Sequence, residues 1–224
     1  MKLNIIIFGN GNHAKIIFDE LGKLKKYNFL GYVDKKNVIF YKKKKYNFFD
    51  FYEKYQKKKI RGIIAVGDNK LRNKISRDIE EIIPKFKWET LISKSAIVSK
   101  KTNIGQGTMI ISGSVINTNT IIGEHCLINT KSTLDHDNNW GDFTSCGPGV
   151  NSAGNVTVKN FTQIGIGSTI IDNILIGKNT VIGAHSLVNR NCKSNSVYFG
   201  VPAKYKRKNL RLIKKAPQRN VKKK

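Results

Sequence analysis

The stretch IGQGTMIISGSVINTNTIIGEHCLI, residues 104–128, carries an aliphatic residue at every sixth position. Stepping by six from Ile104 to Val188 gives fifteen positions, of which twelve are aliphatic, and the residue four positions further on is usually small or β-branched. Neither the 3.6-residue period of a helix nor the two-residue period of a strand produces this spacing. The pattern therefore predicts a solenoid in which each hexad is a short strand followed by a corner.

Glycines follow several of the aliphatic residues, and many of these glycines recur eighteen residues apart. Three hexads would then close one triangular coil, with each aliphatic side chain stacked inside the prism on the residue eighteen positions later. Neighbouring coils are expected about 4.8 Å apart, the ordinary strand spacing. One coil departs from the pattern, because Trp140, Cys146 and Ser152 are successive inward residues. One large and two smaller residues can compensate in volume, although an irregularity directly after His136 is also where a site is expected.

The first half of the chain alternates strand-like and helix-like segments. Buried strands are predicted in LNIIIF, NFLGYVD and RGIIAVGD, and amphipathic helices in HAKIIFDELGKL and NKLRNKISRDIEEII. This alternation predicts an α/β unit with a small parallel sheet of about four strands. The Lys-rich stretch from Lys42 to Lys59 is expected to form a solvated loop and a short helix. The predicted divisions are an α/β domain over residues 1–90, a β-helix over 91–204 and a basic tail over 205–224.

The composition restricts function only loosely. With 41 Lys and Arg against 15 Asp and Glu, the formal charge of +26 favours anionic ligands or nucleic acid, but the abundance of Lys, Asn and Ile together is also what an AT-rich genome produces. Three cysteines without a CxxC motif indicate free thiols in a reducing compartment and argue against a Cys-based zinc site. The apolar run before Gly9 is too short for a signal peptide or a membrane span. We therefore expect a cytoplasmic protein with no membrane contact.

The histidines of the repeat region do not predict a metal site. His125, His136 and His185 differ in their position modulo eighteen, which places them on three different faces of the prism, so they cannot converge within one subunit. No bound metal is therefore expected, and His125 and His185 are interpreted as surface or interface residues. His136 differs because Asp135 and Asp137 flank it. A carboxylate that binds one imidazole nitrogen leaves the other to accept a proton, but the residues alone are also compatible with a simple polar corner.

A glycine-rich turn, GNGNHA from Gly9, follows the first predicted strand and opens the first predicted helix. Helix N-terminal amides attract phosphate groups. With Asp34 at the end of the next strand, the turn is compatible with either an NAD site or another nucleotide site, and this motif alone is a weak signal. About four strands are too few for a complete dinucleotide fold, and a β-helix offers no hydride chemistry, so we favour a nucleotide other than NAD.

Segments along most of the chain resemble the sugar O- and N-acyltransferase family. Its members include sialic acid O-acetyltransferases and the N-acetyltransferases of nucleotide-linked 4-amino-4,6-dideoxy sugars. The resemblance spans residues 3 to 204 and is carried by these segments: IIIFGNGNHAK, FLGYVD, IIAVGDNKLR, INTKSTLDHDNNWGDF, SAGNVTV, QIGIGSTI, IGAHSLV and FGVPAK. It implies a Rossmann-like N-terminal domain, a left-handed parallel β-helix of hexapeptide repeats, and a homotrimer whose clefts are walled by neighbouring subunits.

The resemblance also implies roles for individual residues. In the family the histidine matching His136 is the general base, and the acidic residue matching Asp137 raises its basicity. The asparagine matching Asn129 lies near the sugar. Relatives carry a histidine that touches acetyl-CoA where this chain has Ser145, so that part of thioester recognition differs here. The family positions whose backbone contacts the CoA arm are matched by Ile166 and Ala184.

The family's nucleotide-sugar site implies a second set of residues. These are Gly11, Asn12, His13, Asp34, Lys35 and Gly67. The function expected from the resemblance is acetyl-CoA-dependent N-acetylation of a nucleotide-linked 4-amino-4,6-dideoxy sugar. The alternatives are O-acetylation of sialic acid or another free sugar, and a non-catalytic β-helical scaffold or nucleic-acid-binding protein. Residues 204–224 carry 11 Lys and Arg and no acid, so Lys204, Lys206 or Arg207 are candidates to bind CoA phosphates, with nonspecific nucleic-acid binding a minor alternative.

Overall fold

The N-terminal sheet is built from strands that alternate with helices. A computed structural model describes residues 2–33, 38–41 and 44–209. The elements before the β-helix are β1 (Leu3–Phe8), α1 (Asn12–Leu24), β2 (Tyr27–Val33), β3 (Val38–Tyr41), β4 (Lys44–Asn47), α2 (Phe48–Tyr55), a 3-10 turn (Gln56–Lys58), β5 (Ile60–Ile64) and α3 (Asn69–Ile82).

The sheet is mixed, which corrects the prediction of a parallel sheet of about four strands. Its order is β4-β3-β2-β1-β5. Strand β1 pairs in parallel with β2 and β5, whereas β3 pairs antiparallel with β2 and with β4. The connections into β3 and β4 have only four and two residues, and a parallel pair needs a crossover of about a dozen or more.

The Lys-rich stretch from Lys42 to Lys59 is more structured than predicted. The expected short helix is present as α2, but β4 replaces part of the expected loop. Phe48 and Phe51 of α2 are buried in the core of the N-terminal unit, and the Phe48 ring packs edge-on against Phe8 at 5.3 Å between centroids. Aromatic residues spaced along the basic segment therefore give it a buried face.

The repeat region consists of two-residue strands joined by corners. In chain order the strands are β6 (Leu91–Ile92), β7 (Ile97–Val98), β8 (Asn103–Ile104), β9 (Met109–Ile110), β10 (Val115–Ile116), β11 (Ile121–Ile122), β12 (Leu127–Ile128), β13 (Thr133–Leu134), β14 (Asn139–Trp140), β15 (Ser145–Cys146), β16 (Asn151–Ser152), β17 (Thr157–Val158), β18 (Gln163–Ile164), β19 (Thr169–Ile170), β20 (Leu175–Ile176), β21 (Val181–Ile182) and β22 (Leu187–Val188). Two longer strands follow, β23 (Ser196–Phe199) and β24 (Lys204–Lys208).

These strands form three sheets, one for each face of a triangular prism. The first face contains β6, β9, β12, β15, β18, β21, β23 and β24, the second β7, β10, β13, β16, β19 and β22, and the third β8, β11, β14, β17 and β20. From β6 to β19, each strand residue pairs in parallel with the residue eighteen later, as Ile122 does with Trp140, whereas β21 pairs with residues of β23 sixteen later. The parallel β-helix predicted from the six-residue period is therefore confirmed. Strand β24 pairs antiparallel with β23, so ordered pairing extends to Lys208, inside the segment predicted as a tail.

Backbone in the left-handed region marks the three edges of the prism, which we name by the faces they join. Edge A joins the first and second faces, edge B the second and third, and edge C the third and first. In the repeat region the residues with positive φ are Gly113, Lys131, Gly149, Gly167 and His185 on edge A; Asn119, Asp137, Asn155 and Asn173 on edge B; and Gly107, His125, Phe143, Phe161, Asn179 and Asn195 on edge C. Asparagine and aspartate tolerate this conformation better than most residues, which accounts for the composition of edge B.

The prism interior is filled by the inward residues of the repeat. The predicted ladder residues from Ile110 to Val188 form one buried cluster. Small hydroxyl residues beside the corners are buried as well, and several donate to the carbonyl fifteen residues later, as Thr120 does to Asp135 at 2.9 Å and Thr162 does to Gly177 at 2.7 Å. Since buried carbonyls need donors, these bonds explain why small or β-branched residues recur between the aliphatic ones.

The N-terminal unit packs against the first face of the prism. Ile5, Ile7 and Ile17 share one buried cluster with Leu91, Met109 and Leu127, whose side chains point outward from the first face. The three cysteines are free and buried in the structure. Within residues 2–33, 38–41 and 44–209, no helix is long and apolar enough to cross a membrane.

Candidate active site

His136 and Asp137 form a bonded pair on edge B. The His136 Nδ1 atom lies 2.7 Å from Asp137 Oδ2. A carboxylate oxygen can only accept, so Nδ1 carries the hydrogen and the neutral imidazole presents Nε2 as a free acceptor. The His136 side chain is 55% exposed, which leaves Nε2 open to an incoming acidic proton.

Three further hydrogen bonds hold the carboxylates that flank His136. Asn119 donates to Asp137 Oδ1 at 3.2 Å, from the position eighteen residues earlier. Asp135 instead accepts the backbone N–H of His136 at 2.8 Å and the side-chain amide of Asn117 at 2.8 Å. Asp135 therefore orients the backbone of the corner, whereas Asp137 orients the imidazole.

The pair shifts the pKa of both of its members. The hydrogen bond to Asp137 raises the pKa of His136 above its ordinary value, and the charges of Asp135 and Asp137 act in the same direction. The pKa of Asp137 is lowered, chiefly by the same hydrogen bond. Asp137 thus stays ionised and stabilises the imidazolium that forms when Nε2 takes a proton.

The imidazole of His136 lies directly over the next corner of the same edge. A Cβ atom built on Gly154 would lie 2.5 Å from His136 Cε1 and 2.6 Å from Nε2. Glycine is therefore required at position 154 for the ring to keep its present place.

A second candidate site is a cleft of about 670 Å³ in the N-terminal unit. It opens where β1 and β5 end, beside the N-terminus of α1 and one face of α3. The residues that line it are Phe8, Gly9, Asn10, Gly11, Asn12, His13, Val33, Ala65, Val66, Gly67, Leu71, Lys74, Ile75 and Asp78. Four of the predicted nucleotide-sugar residues, Gly11, Asn12, His13 and Gly67, therefore lie together. The other two, Asp34 and Lys35, lie outside the described residues.

His13 lines this cleft in its neutral form. Its Nε2 atom is buried and has no hydrogen-bond partner in the part of the chain that the structure describes. Burial lowers the pKa of His13 to about 4, and the nearby charge of Arg72 adds to this effect. At neutral pH the His13 side chain therefore carries no charge.

Arg72 was not predicted from the sequence, yet it supports the cleft wall. It is fully buried, and its guanidinium donates to the carbonyls of Val66 at 2.8 Å and Gly67 at 3.3 Å. The remaining donors reach the carbonyl of His125 at 2.7 Å, the Asn69 side chain and the carbonyl of Thr144 on edge C. These acceptors are neutral, so a positive charge lies beneath a turn that faces the cleft, which favours an anionic ligand.

The structure corrects the interpretation of His125 as a surface or interface residue of the subunit. His125 is 1% exposed, since Ser76 of α3 bonds its Nε2 at 3.1 Å and Trp88 packs against its ring. The ring also stacks on Phe143 of the next coil at 5.0 Å between centroids. Burial lowers the pKa of His125 to about 3. His185, by contrast, is exposed on edge A.

We expect stability to fall between pH 6 and 5, because His13 and His125 are buried in the neutral state. Their folded pKa values of about 4 and 3 lie below the ordinary 6.5, so the unfolded chain binds more protons. The free energy of unfolding has its full value above about pH 6.5, and it falls by roughly 2 to 3 kcal/mol per pH unit between pH 6 and pH 5. Urea unfolding at several pH values measures the slope. His125→Phe should reduce it to about half while His185→Gln leaves it unchanged; an equal slope in His125→Phe would contradict this assignment.

The residues predicted to contact acetyl-CoA lie at two places on the β-helix. Ile166 and Ala184 are exposed and stacked one coil apart on edge A, where a Cβ on Gly165 would meet the backbone of Ala184 at 2.5 Å. Asn129 is half-buried at the start of a corner on the same edge. Ser145 points outward from the first face and is buried.

One chain does not bring all of these residues together. The N-terminal cleft belongs to the unit that covers the first face, whereas His136 lies on edge B, the edge that does not border that face. Edge A, with Ile166 and Ala184, is separated from edge B by the second face. A site that combines the three sets therefore needs more than one copy of the chain. Among the described residues, no three His, Cys, Asp or Glu side chains form a group suited to a metal.

The N-terminal unit matches a known domain family, and the whole fold matches solved acetyltransferases. Residues 4–79 match the model of the PglD N-terminal domain. PerB from Caulobacter crescentus, solved in complex with CoA and GDP-perosamine, is 28% identical, with a TM-score of 0.80 over 91% of this chain and 97% of that chain. The acetyltransferase domain of PglB from Neisseria gonorrhoeae FA1090, solved with acetyl coenzyme A, shares the fold at 22% identity and a TM-score of 0.82, covering 92% of this chain and 100% of that chain.

One curated relative matches over a shorter segment. A galactoside O-acetyltransferase from Lactococcus lactis subsp. lactis (strain IL1403) is 42% identical over 53 residues, which are 24% of this chain and 26% of that relative. The matching segment thus spans about a quarter of the curated relative. These proteins are all acetyltransferases, so the family resemblance and the fold class predicted from the sequence are confirmed.

Proposed function

We propose that this acyltransferase, whose residues 4–79 belong to the PglD N-terminal domain family, transfers the acetyl group of acetyl-CoA to the amino group of a nucleotide-linked 4-amino-4,6-dideoxy sugar. The observation that carries the proposal is the exposed His136–Asp137 pair with a free Nε2. The similarity to PerB, a protein solved with CoA and GDP-perosamine, supports the choice of substrates.

In the proposed reaction, His136 acts as the general base. The sugar amine attacks the thioester carbonyl, forming the C–N bond as the C–S bond breaks, and His136 Nε2 accepts the proton that the amine loses. Asp137 holds Nδ1–H and stabilises the resulting imidazolium. The proton then passes to the departing CoA sulfur or to water, so that the neutral imidazole is restored. Acetyl-CoA supplies the activated acetyl group, and Ile166, Ala184 and Ser145 are the residues proposed to contact it.

The N-terminal cleft is proposed to hold the nucleotide. The α1 N-terminus and the charge of Arg72 both favour a diphosphate there, and His13 lines the same cleft in its neutral form. Asp34 and Lys35 remain proposed contacts, and Asn129 is proposed to lie near the sugar. Residues 1–90 would thus act as the nucleotide-sugar domain and residues 91–204 as the acyl-transfer domain.

A homotrimer would bring the separated residues together. Edge B of one subunit would face edge A of a neighbour across a shared cleft, and a neighbour's N-terminal cleft would supply the nucleotide-linked sugar. The exposed apolar side chains Ile97, Ile121 and Leu175 lie on the second and third faces and are available for such contacts. The buried free thiols fit a reducing cytoplasm as the place of the reaction.

O-acetylation of a free sugar is the second candidate. The segment shared with the Lactococcus galactoside O-acetyltransferase favours it, and the same base can deprotonate a hydroxyl. The N-terminal cleft, which is suited to phosphate groups, supports the nucleotide-linked amino sugar as substrate, because a free sugar would leave that cleft unoccupied.

Thiol release from acetyl-CoA distinguishes these candidates. The purified protein is incubated with GDP-, dTDP- and UDP-linked 4-amino-4,6-dideoxy sugars, with sialic acid, and with a free galactoside. A rate of thiol release that is much higher with one nucleotide-linked amino sugar than with any free sugar supports the proposal. Release with sialic acid or the galactoside alone would establish O-acetylation, and salt-sensitive nucleic-acid binding without thiol release would favour a non-catalytic protein.

A further inference from the structure

The irregular coil of the β-helix contains a hydrogen-bonded group inside the prism. Trp140 and Ser152 are the inward residues of β14 and β16, on either side of Cys146 in the ladder, and with Asn138 they are almost fully buried. Trp140 Nε1 donates to Asn138 Oδ1 at 3.1 Å, and Ser152 Oγ donates to the same oxygen at 2.8 Å. A buried side-chain amide thus receives two donors from the two residues that break the aliphatic pattern.

These two donors fix which way the Asn138 amide points. With Oδ1 occupied, Nδ2 faces the carbonyls of Asp135 at 2.9 Å and Ala153 at 2.8 Å, with His136 O further away at 3.4 Å. Both lone pairs of the amide oxygen and both amide hydrogens are then used. Reversing the amide would place Nδ2 against two donors and Oδ1 against carbonyls, so only one orientation is compatible with the surroundings.

The carbonyls that Asn138 holds belong to the corner that carries His136 and to the corner beneath it. Asp135 precedes His136 and Ala153 precedes Gly154, the residue on which the imidazole lies. The two corners are also joined by the Asn155 backbone N–H, which donates to His136 O at 3.0 Å. The amide therefore ties the support of the imidazole to the backbone that carries it.

We propose that Trp140 and Ser152 are positioning residues for His136, which act through the Asn138 amide and the two corners that it holds. This proposal rests on the proposed function. It gives the two residues that break the aliphatic ladder a role in positioning His136, in addition to filling volume. Replacing both Trp140 and Ser152 by isoleucine would make these two ladder positions aliphatic, but it would leave Asn138 Oδ1 buried without a hydrogen-bond donor.

Single substitutions that remove one donor test the proposal. Ser152→Ala removes the hydroxyl, and Trp140→Phe removes the indole N–H while keeping an aromatic ring. We expect each to lower kcat by roughly 10- to 100-fold through displacement of the base, with KM for acetyl-CoA and for the sugar nucleotide nearly unchanged. The control is Thr180→Val, because Thr180 is also buried and donates to a corner carbonyl, that of Lys193 at 2.8 Å, away from His136.

The pH dependence separates positioning from a general loss of stability. The bond to Asp137 raises the pKa of His136, so a displaced corner should let this pKa fall toward its ordinary value. The acidic limb of the kcat profile should then move to lower pH in Ser152→Ala and Trp140→Phe, but not in Thr180→Val. A shift of the limb in Thr180→Val as well would overturn the proposal.

Titration of the His136 Cε1–H resonance by NMR gives the same quantity without catalysis. The expected result is a lower His136 pKa in both donor variants of the full chain, whether or not the sugar nucleotide is a substrate. If the wild-type protein releases no thiol while this shift is found, the proposed function fails and the positioning role stands. If the resonance titrates as in wild type in both variants, Trp140 and Ser152 only fill volume.

Discussion

Replacing His136 by glutamine is expected to lower kcat by roughly 10²- to 10⁴-fold, the usual contribution of a positioned base. Glutamine retains polarity and approximate size but cannot accept the proton from the attacking amine. The side chain is exposed on edge B, so the folded state should be as stable as wild type. Initial rates of thiol release with saturating acetyl-CoA and sugar nucleotide measure the effect, and KM for both substrates should change little.

The two flanking aspartates provide a matched comparison. Asp137→Asn removes the carboxylate that accepts from Nδ1, whereas Asp135→Asn keeps an oxygen that can still accept the backbone N–H of His136. We therefore expect Asp137→Asn to lose more activity and to move the acidic limb of kcat further toward low pH. Near-wild-type kcat in His136→Gln, or equal losses in the two Asn variants, would contradict the assigned roles.

Two inactive variants are expected to restore activity when they assemble together. In His136→Gln the base is missing, and in Gly11→Glu a carboxylate enters the nucleotide cleft and repels phosphate. A Cβ at Gly11 meets nothing within 4 Å and its φ is −90°, so the second substitution is compatible with folding. If each site combines the cleft of one subunit with His136 of another, every trimer that contains both variants keeps one complete site of three and should have about a third of wild-type activity.

Co-expression of the two variants with different affinity tags, followed by tandem purification, yields the mixed assemblies. Each variant purified alone should be inactive, and mixing the pure proteins without subunit exchange should restore nothing. Absence of activity in verified mixed assemblies would mean that the cleft and the base of one chain serve the same site. Sedimentation of the active protein as a monomer would contradict the shared site altogether.

The repeat region could be predicted from sequence because its contacts are periodic. A residue eighteen positions away is the neighbour in the adjacent coil, so Ile104, Ile122 and Trp140 could be placed on one face without any structure. The same counting separated the three repeat-region histidines, which the structure places on three different edges. In the N-terminal unit, β1, α1 and α3 follow equally local patterns.

Features that depend on contact between distant segments could not be predicted. The burial of His125 requires α3 and Trp88 to cover edge C, and nothing in the hexad around His125 signals this. Arg72 was missed for the same reason, although Asn69, Arg72, Ser76 and Ile79 form one buried stripe along α3. Polar residues that recur on one face of a helix are the sequence signal that could have indicated packing of α3 against another part of the protein.

In the candidate site, too, some features could be predicted from the sequence and others depend on contacts between distant residues. Counting hexads placed His136 at a corner, and the family resemblance chose Asp137 as its partner; the structure adds that Asp137 bonds Nδ1 while Asp135 bonds the backbone N–H. The amide of Asn138 lies two residues from His136, but its donors include Ser152, fourteen residues away. Side-chain hydrogen bonds of this kind carry no periodic signal.

The most direct test of the central claim is the chemical identity of the product. Wild-type protein is incubated with acetyl-CoA labelled with carbon-13 in the acetyl carbonyl and with the nucleotide-linked 4-amino-4,6-dideoxy sugar that releases thiol fastest, and the product is examined by carbon NMR. We expect the label to appear as an amide on the sugar of the intact nucleotide conjugate, and His136→Gln to form this amide at least roughly 100-fold more slowly. Label found only in an ester, or only in free acetate, would contradict this expectation.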